Sequence, residues 1–229
     1  MMRVTAVMPV YNGEAYLAEA LDSVRAQTRL ADETIVVDDG SHDASAAIVA
    51  GYPEVRYLHQ ANAGCAAARN RGVAAATGDA IAFVDQDDRW LPGHLARMVG
   101  VLEREPQVGF VACAVANFLS PELAALPPGV APAMIAVPQH GMGTNTLVVR
   151  REVFENIGPF DPSMVPMDDS EWLLRAVDAG VRFIHFDEPT VSRRLHAGNQ
   201  SILARGTAAH ASRMARALHA SLKRRRAAP

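Results

Sequence analysis

The sequence predicts a single α/β domain with a mostly parallel central sheet and helices on both faces. Three observations point there. The chain has 229 residues and 49% hydrophobic content, enough for one sizeable core. Short apolar runs alternate with helical patterns through the first half, which is the signature of a covered parallel sheet. Polar clusters then follow the first, second and fourth of those runs, at the edge where open parallel sheets bind ligands.

Each element has a local reason. Residues 3–9 form an apolar, β-branched run, and Asn12-Gly13 is a turn signal. Residues 14–27 carry Leu17, Leu21 and Val24 at helical spacing. A second strand is expected at 33–37, with Ser41 or Asp43 as cap of the helix that follows. A third strand at 55–59, an alanine-rich helix at 64–76 and a fourth strand at 80–84 complete the pattern. Pro92 suits the first turn of a helix reaching about Glu105. Further on, 108–115 and 146–149 read as strands and 151–156 as a short helix. Pro121, Pro127, Pro128, Pro132 and Pro138 preclude a long helix between 120 and 139 and predict a surface loop. After the turn cluster at 158–162, a helix at 168–179 ends at Gly180, and 181–186 reads as the last buried strand.

Charge and cysteine content narrow the function classes. The net charge is −3, but residues 189–229 contain nine Arg or Lys and no acid, so that stretch carries +9 and the preceding body −12. An acidic body argues against nucleic acid as a partner and suits a protein that gathers metal ions. Cys65 and Cys113 make no disulfide framework, and no run approaches the roughly 18 apolar residues of a spanning helix, so a cytoplasmic location is expected.

The chemistry concentrates at the strand ends. Asp85-Gln86-Asp87-Asp88 places three carboxylates in four residues, which repel one another unless a cation offsets them. Mg²⁺ and Mn²⁺ take oxygen ligands and share them with phosphates, so this turn is a candidate metal site; a solvated acidic turn is the plainer alternative. An EF-hand register fails, because Trp90 and Ala96 stand where a Gly and a Glu are needed. At the second strand end, Asp39 can accept from a ribose hydroxyl or a base N–H, against the plainer reading of an ordinary turn. Tyr11 can stack on a flat base or simply sit half-buried on its loop. No G-x-G-x-x-G follows either strand, which disfavours an ordinary dinucleotide site.

In order along the chain, Pro9-Val10-Tyr11-Asn12-Gly13-Glu14, Val37-Asp38-Asp39-Gly40-Ser41, Ala68-Arg69-Asn70-Arg71-Gly72 and Asp85-Gln86-Asp87-Asp88 resemble the family 2 glycosyltransferases. Thr146 to Phe154, Gly158-Pro159-Phe160-Asp161, Asp168-Asp169-Ser170-Glu171-Trp172 and Arg194-Leu195-His196 through Ser201 are similar to the later segments of that family. The resemblance runs from Val4 to Ser201 and implies the glycosyltransferase A fold. On it, residues 1–204 would form the domain, 1–105 being the nucleotide-sugar half and 106–204 the acceptor half, with 205–229 a basic helix and tail. Pro9, Tyr11, Glu14, Asp39, Arg69 and Asp85 would bind the nucleotide. Asp85 and Asp87 would form the Asp-x-Asp pair, with Asp87 the direct ligand of Mn²⁺ or Mg²⁺ and His196 close to the ion or the diphosphate. Asp169 would be the catalytic base. The family usually has Glu before that base and this chain has Asp168, so the register of the pair is open. The plainer reading of both is an acidic first helical turn, and that of His196 a structural histidine.

The implied reaction is inverting transfer from a nucleotide diphosphate sugar, by preference a uridine one, to a hydroxyl on a saccharide, lipid-linked saccharide, peptide or small molecule. A sugar-phosphate nucleotidyltransferase would normally open on a glycine-rich loop with Arg and Lys, whereas this first loop is Tyr-Asn-Gly-Glu and Lys223 is the only lysine. A non-catalytic binding protein on the same scaffold is the other alternative. In the tail, Met214, Leu218 and Leu222 form a narrow apolar stripe ending in Lys223-Arg224-Arg225-Arg226. The stripe is expected to pack on the body, with at most weak, salt-sensitive membrane-surface contact.

Overall fold

β1 (Val4–Val10) runs through the sheet interior and is buried at every position. Both its faces are covered, which is why it reads as a continuous apolar run. The computed structural model describes residues 1–127, 130–141, 143–204 and 207–227, and not the side chains of 201, 226 and 227. Pro128 and the side chains of Ser201 and Arg226, singled out above, and Arg205 at the start of the expected basic tail lie outside the described residues.

α1 (Leu17–Arg25), β2 (Glu33–Asp38), α2 (Ser45–Val49), β3 (Val55–His59), α3 (Cys65–Ala75) and β4 (Ala80–Phe83) complete the parallel half. β5 (Arg89–Trp90), α4 (His94–Arg104), β6 (Val108–Leu119), α5 (Ala133–Ala136), β7 (Leu147–Arg150) and α6 (Arg151–Ile157) follow. α7 (Asp168–Asp178), β8 (Arg182–Leu195), α8 (Gln200–Ala204) and α9 (Ala208–Ala227) end the described chain. Among the described residues the strands form one sheet in the order β3-β2-β1-β4-β7-β6-β8-β5. Pairings among β1 to β4 and between β6 and β8 are parallel; β7 and β5 run antiparallel to their neighbours.

Alternate strand residues point to opposite layers. Met8 and Val36 meet Leu17, Leu21, Leu95 and Met98 of α1 and α4. Val7, Ile35 and Phe83 meet Ala66, Phe154, Trp172 and Leu173 of α3, α6 and α7.

Several boundaries differ from the sequence expectation. α1 starts at Leu17, after a turn in which Gly13 O accepts from Tyr16 N at 3.0 Å and Leu17 N at 2.9 Å, while the N–H groups of Gly13 and Glu14 donate to Ser45 Oγ and Asp43 Oδ2 at 2.9 Å. Neither Ser41 nor Asp43 is the cap of α2; Ala44 holds that position. β8 continues nine residues past Phe186, through Asp187, Glu188 and Pro189, which look like a stop. Those residues fall at a bulge, where proline is tolerated. The two-residue β5 carries no periodic signal at all.

α9 also corrects an expectation. Met214, Leu218 and Leu222 are 38%, 48% and 54% exposed, while Ala217 and Ser221 are buried. The helix is oriented by Asp178 on α7, whose side chain accepts from Ser221 Oγ, Arg224 Nε and Arg225 Nε at 2.9, 2.8 and 2.7 Å. A buried carboxylate left without its donors costs more than three half-exposed apolar side chains gain.

Gly72 lets α3 lie close on the sheet: a Cβ there would collide with Val7 Cγ1 and press on Val37 Cγ2 at 3.4 Å. We expect Gly72→Ala to destabilise the fold by about 1–3 kcal/mol, the usual cost of overpacking. Urea denaturation measures it, and an unchanged midpoint would show that α3 can retreat freely.

Candidate active site

The carboxyl ends of β1, β2 and β4 open on a cleft of about 790 Å³. Pro9, Tyr11, Asp39, Arg69, Asp85, Asp87, Asp169 and His196 all line it. Glu14 is not among the lining residues; its Oε2 accepts from Ala44 N at 3.1 Å and braces the start of α2.

Tyr11 is 44% exposed, so its ring is available for stacking. Its backbone is clamped by Gln86, whose Oε1 accepts from Tyr11 N at 2.8 Å while its Nε2 donates to Tyr11 O at 3.1 Å. Gly13 leaves room for that amide, since a Cβ would stand 2.7 Å from Oε1. Asp39 is buried and already employed. Oδ1 accepts from Gln60 Nε2 at 2.7 Å and Ala63 N at 2.9 Å, and Oδ2 accepts from Gly64 N at 2.8 Å. Two acceptor sites per carboxylate oxygen leave Oδ2 able to take one more donor.

Arg69, on α3, sits between the two acidic segments. Nη1 donates to Asp168 Oδ2 at 2.9 Å and Nη2 to Asp85 Oδ1 at 3.0 Å. Burial works against its charge, but Asp85, Cys65 and Asp168 outweigh it and raise its pKa, so the guanidinium stays protonated. Asp168 is buried in this bridge. Asp169 is partly exposed to the cleft, and its Oδ1 accepts from Ser170 N at 2.6 Å. Its carboxyl is pushed up to about 6 by burial first and by Asp168 second, against the lowering effects of Arg69 and Ser170.

The Asp85-to-Asp88 turn divides its carboxylates among three environments. Asp85 is drawn to Arg69. Asp88 is buried and accepts from Arg194 N at 2.9 Å and from Asn145 Nδ2, which makes it structural. Its carboxyl is raised by burial, then by Asp87 and Asp85. Asp87 Oδ2 accepts from His196 Nε2 at 2.8 Å and Asn199 Nδ2 at 3.1 Å. Gly198 N donates to His196 Nδ1 at 3.2 Å, so Nε2 is the protonated nitrogen facing Asp87.

These donors suit a hard divalent ion. Asp87 and Asp85 offer carboxylate oxygens, and His196 becomes a ligand on releasing its Nε2 proton. They form no closed cage: among the described residues, the three-ligand grouping with ligand atoms within 4.8 Å is His140, His185 and Asp187. An ion held by one or two carboxylates together with substrate phosphates is the habit of Mg²⁺ and Mn²⁺.

Gln86, Asn145 and Asn199 position the acidic turn, and sequence reasoning gave them no role. Gln86 and Asn199 lie inside motifs already singled out. Asn145 carried no signal, since its bond to Asp88 spans 57 residues. Arg69→Leu should destabilise the fold by about 3–5 kcal/mol, because it strands Asp168 as an uncompensated buried charge. Asp168→Asn in that background should recover part of the loss in urea unfolding; no recovery would mean that Arg69 matters for packing alone.

The glycosyl transferase family 2 model matches residues 5–158. An uncharacterized glycosyltransferase of Nostoc sp., alr2836, is 34% identical, covering 70% of this chain and 55% of its own. EpsJ of Bacillus subtilis, also an uncharacterized glycosyltransferase, is 32% identical over 81% of this chain and 59% of its own. The chain thus spans little more than half the length of these curated relatives. Among solved structures, S. aureus TarS 1-349 has a TM-score of 0.69 at 18% identity, covering 97% of this chain and 71% of that one. The mannosyltransferase PcManGT of Pyrobaculum calidifontis, solved with GDP-Man and Mn²⁺, has a TM-score of 0.65 at 25% identity, covering 100% of this chain and 65% of that one. With the family model matched over more than half its length and the sheet and cleft described above, this chain belongs to glycosyl transferase family 2.

Proposed function

We propose that this chain transfers a sugar from a nucleotide diphosphate sugar to an acceptor hydroxyl, with inversion at the anomeric carbon. The observation that carries this reading is that Asp87 with His196, and Asp169 with its raised pKa, line one cleft. Solved relatives of the same fold bind such donors: TarS structures contain UDP or UDP-GlcNAc, and PcManGT contains GDP-Man with Mn²⁺. In this reading residues 1–105 bind the nucleotide sugar and 106–204 the acceptor.

Tyr11 stacks on the base, and the remaining acceptor site of Asp39 Oδ2 takes an imino N–H. Uracil and guanine both offer one, so this contact permits uridine without selecting it; uridine is the base proposed, in keeping with the UDP bound in a TarS structure. Pro9 also lines this cleft. Asp87, assisted by Asp85 and His196, would hold Mn²⁺ or Mg²⁺. When bound, the ion acts as a Lewis acid toward the charge that builds on the leaving diphosphate. Asp169 accepts the proton of the attacking hydroxyl. Asp168 is held by Arg69, which supports Asp169 as the carboxylate that faces the acceptor.

A donor screen that detects nucleoside diphosphate release, with and without acceptor extract, tests the proposal. Activity should vanish in EDTA and return with Mn²⁺ or Mg²⁺, and Asp87→Ala should lose most turnover under either ion. Full turnover in chelator would remove Asp87 from the scheme. Asp169→Asn should slow transfer by about 10²–10⁴-fold while leaving donor affinity in calorimetry unchanged. If Asp168→Asn is the dead variant instead, the register is reversed.

The pH profile carries a sign. A base works deprotonated, and Asp169 faces Asp168, which raises its pKa, and Arg69, which lowers it. The value of kcat/KM should therefore be flat above about 6. Below that it should fall about tenfold per unit of pH. A wild-type profile with no acidic limb near that pH would contradict the assignment. Calorimetry showing GDP clearly tighter than UDP would overturn the uridine preference.

A further inference from the structure

β8 carries an irregularity that the proposed reaction does not use. Its pairing with β6 is regular from Phe110–Phe183 to Cys113–Phe186, and then Ala114 stands opposite Pro189. Asp187 and Glu188 are therefore extruded as a bulge, a device that re-aims side chains and concentrates near functional sites. Here it brings Asp187 beside His185 on the same strand and His140 from the cleft wall. Asp187 Oδ1 lies 3.6 Å from His185 Nδ1 and 3.7 Å from His140 Nδ1. The imidazole centroids are 5.0 Å apart. One ligand atom from each of the three residues falls within 4.8 Å of the others.

The proton on His185 is fixed by a second contact. Its Nε2 lies 3.2 Å from Gly141 O, an oxygen that can only accept, so Nε2 carries the hydrogen. Neutral His185 then presents the Nδ1 lone pair to a carboxylate oxygen. A cation in the 3.6 Å gap between Nδ1 and Oδ1 would take both as ligands. A backbone carbonyl behind the far ring nitrogen is also how ligating histidines are oriented in metal sites.

The donor set selects the ion. Two imidazole nitrogens and one carboxylate suit Zn²⁺ and its neighbours, whereas the oxygen-rich turn at Asp85 and Asp87 suits Mg²⁺ or Mn²⁺. Ligand atoms about 2.0–2.1 Å from one tetrahedral ion stand roughly 3.4 Å apart, so the Asp187 pairs need to close by only a few tenths of an ångström. The side chains of His140 and Asp187 are 78% and 84% exposed and free to do so, while His185 at 16% is anchored.

We infer that His140, His185 and Asp187 form a second divalent-metal site, selective for Zn²⁺-type ions, that staples residues 139–141 to β8. Gln139 already pairs with Val115 of β6, and His140 and Gly141 line the cleft, so the ion would stiffen that wall.

Calorimetric titration of tag-free Asp87→Ala protein with Zn²⁺ alone tests this apart from the donor-side carboxylates. One equivalent should bind. His140→Ala and Asp187→Asn, each added to that background at an exposed position, should weaken binding at least tenfold, and His185→Ala likewise. Co²⁺ in place of Zn²⁺ should give the visible absorption of a four-coordinate site, lost with Asp187→Asn. Failure of the Asp87→Ala protein to bind Zn²⁺, or binding of undiminished affinity in both His140→Ala and Asp187→Asn, would reduce the cluster to an ordinary solvated ion pair and overturn the inference.

Discussion

The buried guanidinium of Arg69 joins the two acidic segments on which the site is built. It bonds Asp85 at the end of β4 and Asp168 at the start of α7, residues 83 positions apart, from a helix that belongs to neither. A cation in that position offsets the buried charge of Asp168 and draws in the partly exposed Asp85. Each belongs to a cluster with further carboxylates, and Asp87 and Asp169 line the cleft without a bond to Arg69. Asp87 is left beside His196, and Asp169 is left with a pKa of about 6. Arg69 thus gives the two carboxylates it bonds a fixed partner that Asp87 and Asp169 lack.

Asp88 is the third carboxylate of its turn, and its oxygens are satisfied by Arg194 N and the amide of Asn145. Arg194 itself lies 4.5 Å from the Tyr16 ring and bonds Glu19, so β8, the acidic turn and α1 are tied at one point. This arrangement holds the His196 segment over Asp87. The cleft is therefore a junction of long-range contacts between the parallel strands and the later half of the sheet.

The last two elements show how charge overrides apolar pattern. α9 has a stripe of Met214, Leu218 and Leu222, yet it turns Ser221 and Arg224 inward to reach Asp178 and leaves the stripe partly exposed. β8 contains Asp187, Glu188 and Pro189, which locally argue for its end, yet the strand resumes after a bulge because β6 offers a continuous edge up to Leu119.

Much of this protein was legible in the sequence. The alternating apolar runs gave β1 to β4 and their helices, because residues buried on both faces must be apolar in succession. The clusters with Tyr11, Asp39 and Asp87 pointed to one sheet edge, since a parallel sheet brings its strand ends to the same side, while Arg69, Asp169 and His196 came from the family resemblance. What the sequence left open was the choice between neighbours of like chemistry, Asp168 or Asp169, and it expected the wrong face of α9 to pack. Nor could it place Glu14 outside the cleft, reveal Asn145 under Asp88, or bring His140 to His185. Adjacent carboxylates have the same local propensities, and only the tertiary structure, by supplying a buried cation to one and solvent to the other, makes them different.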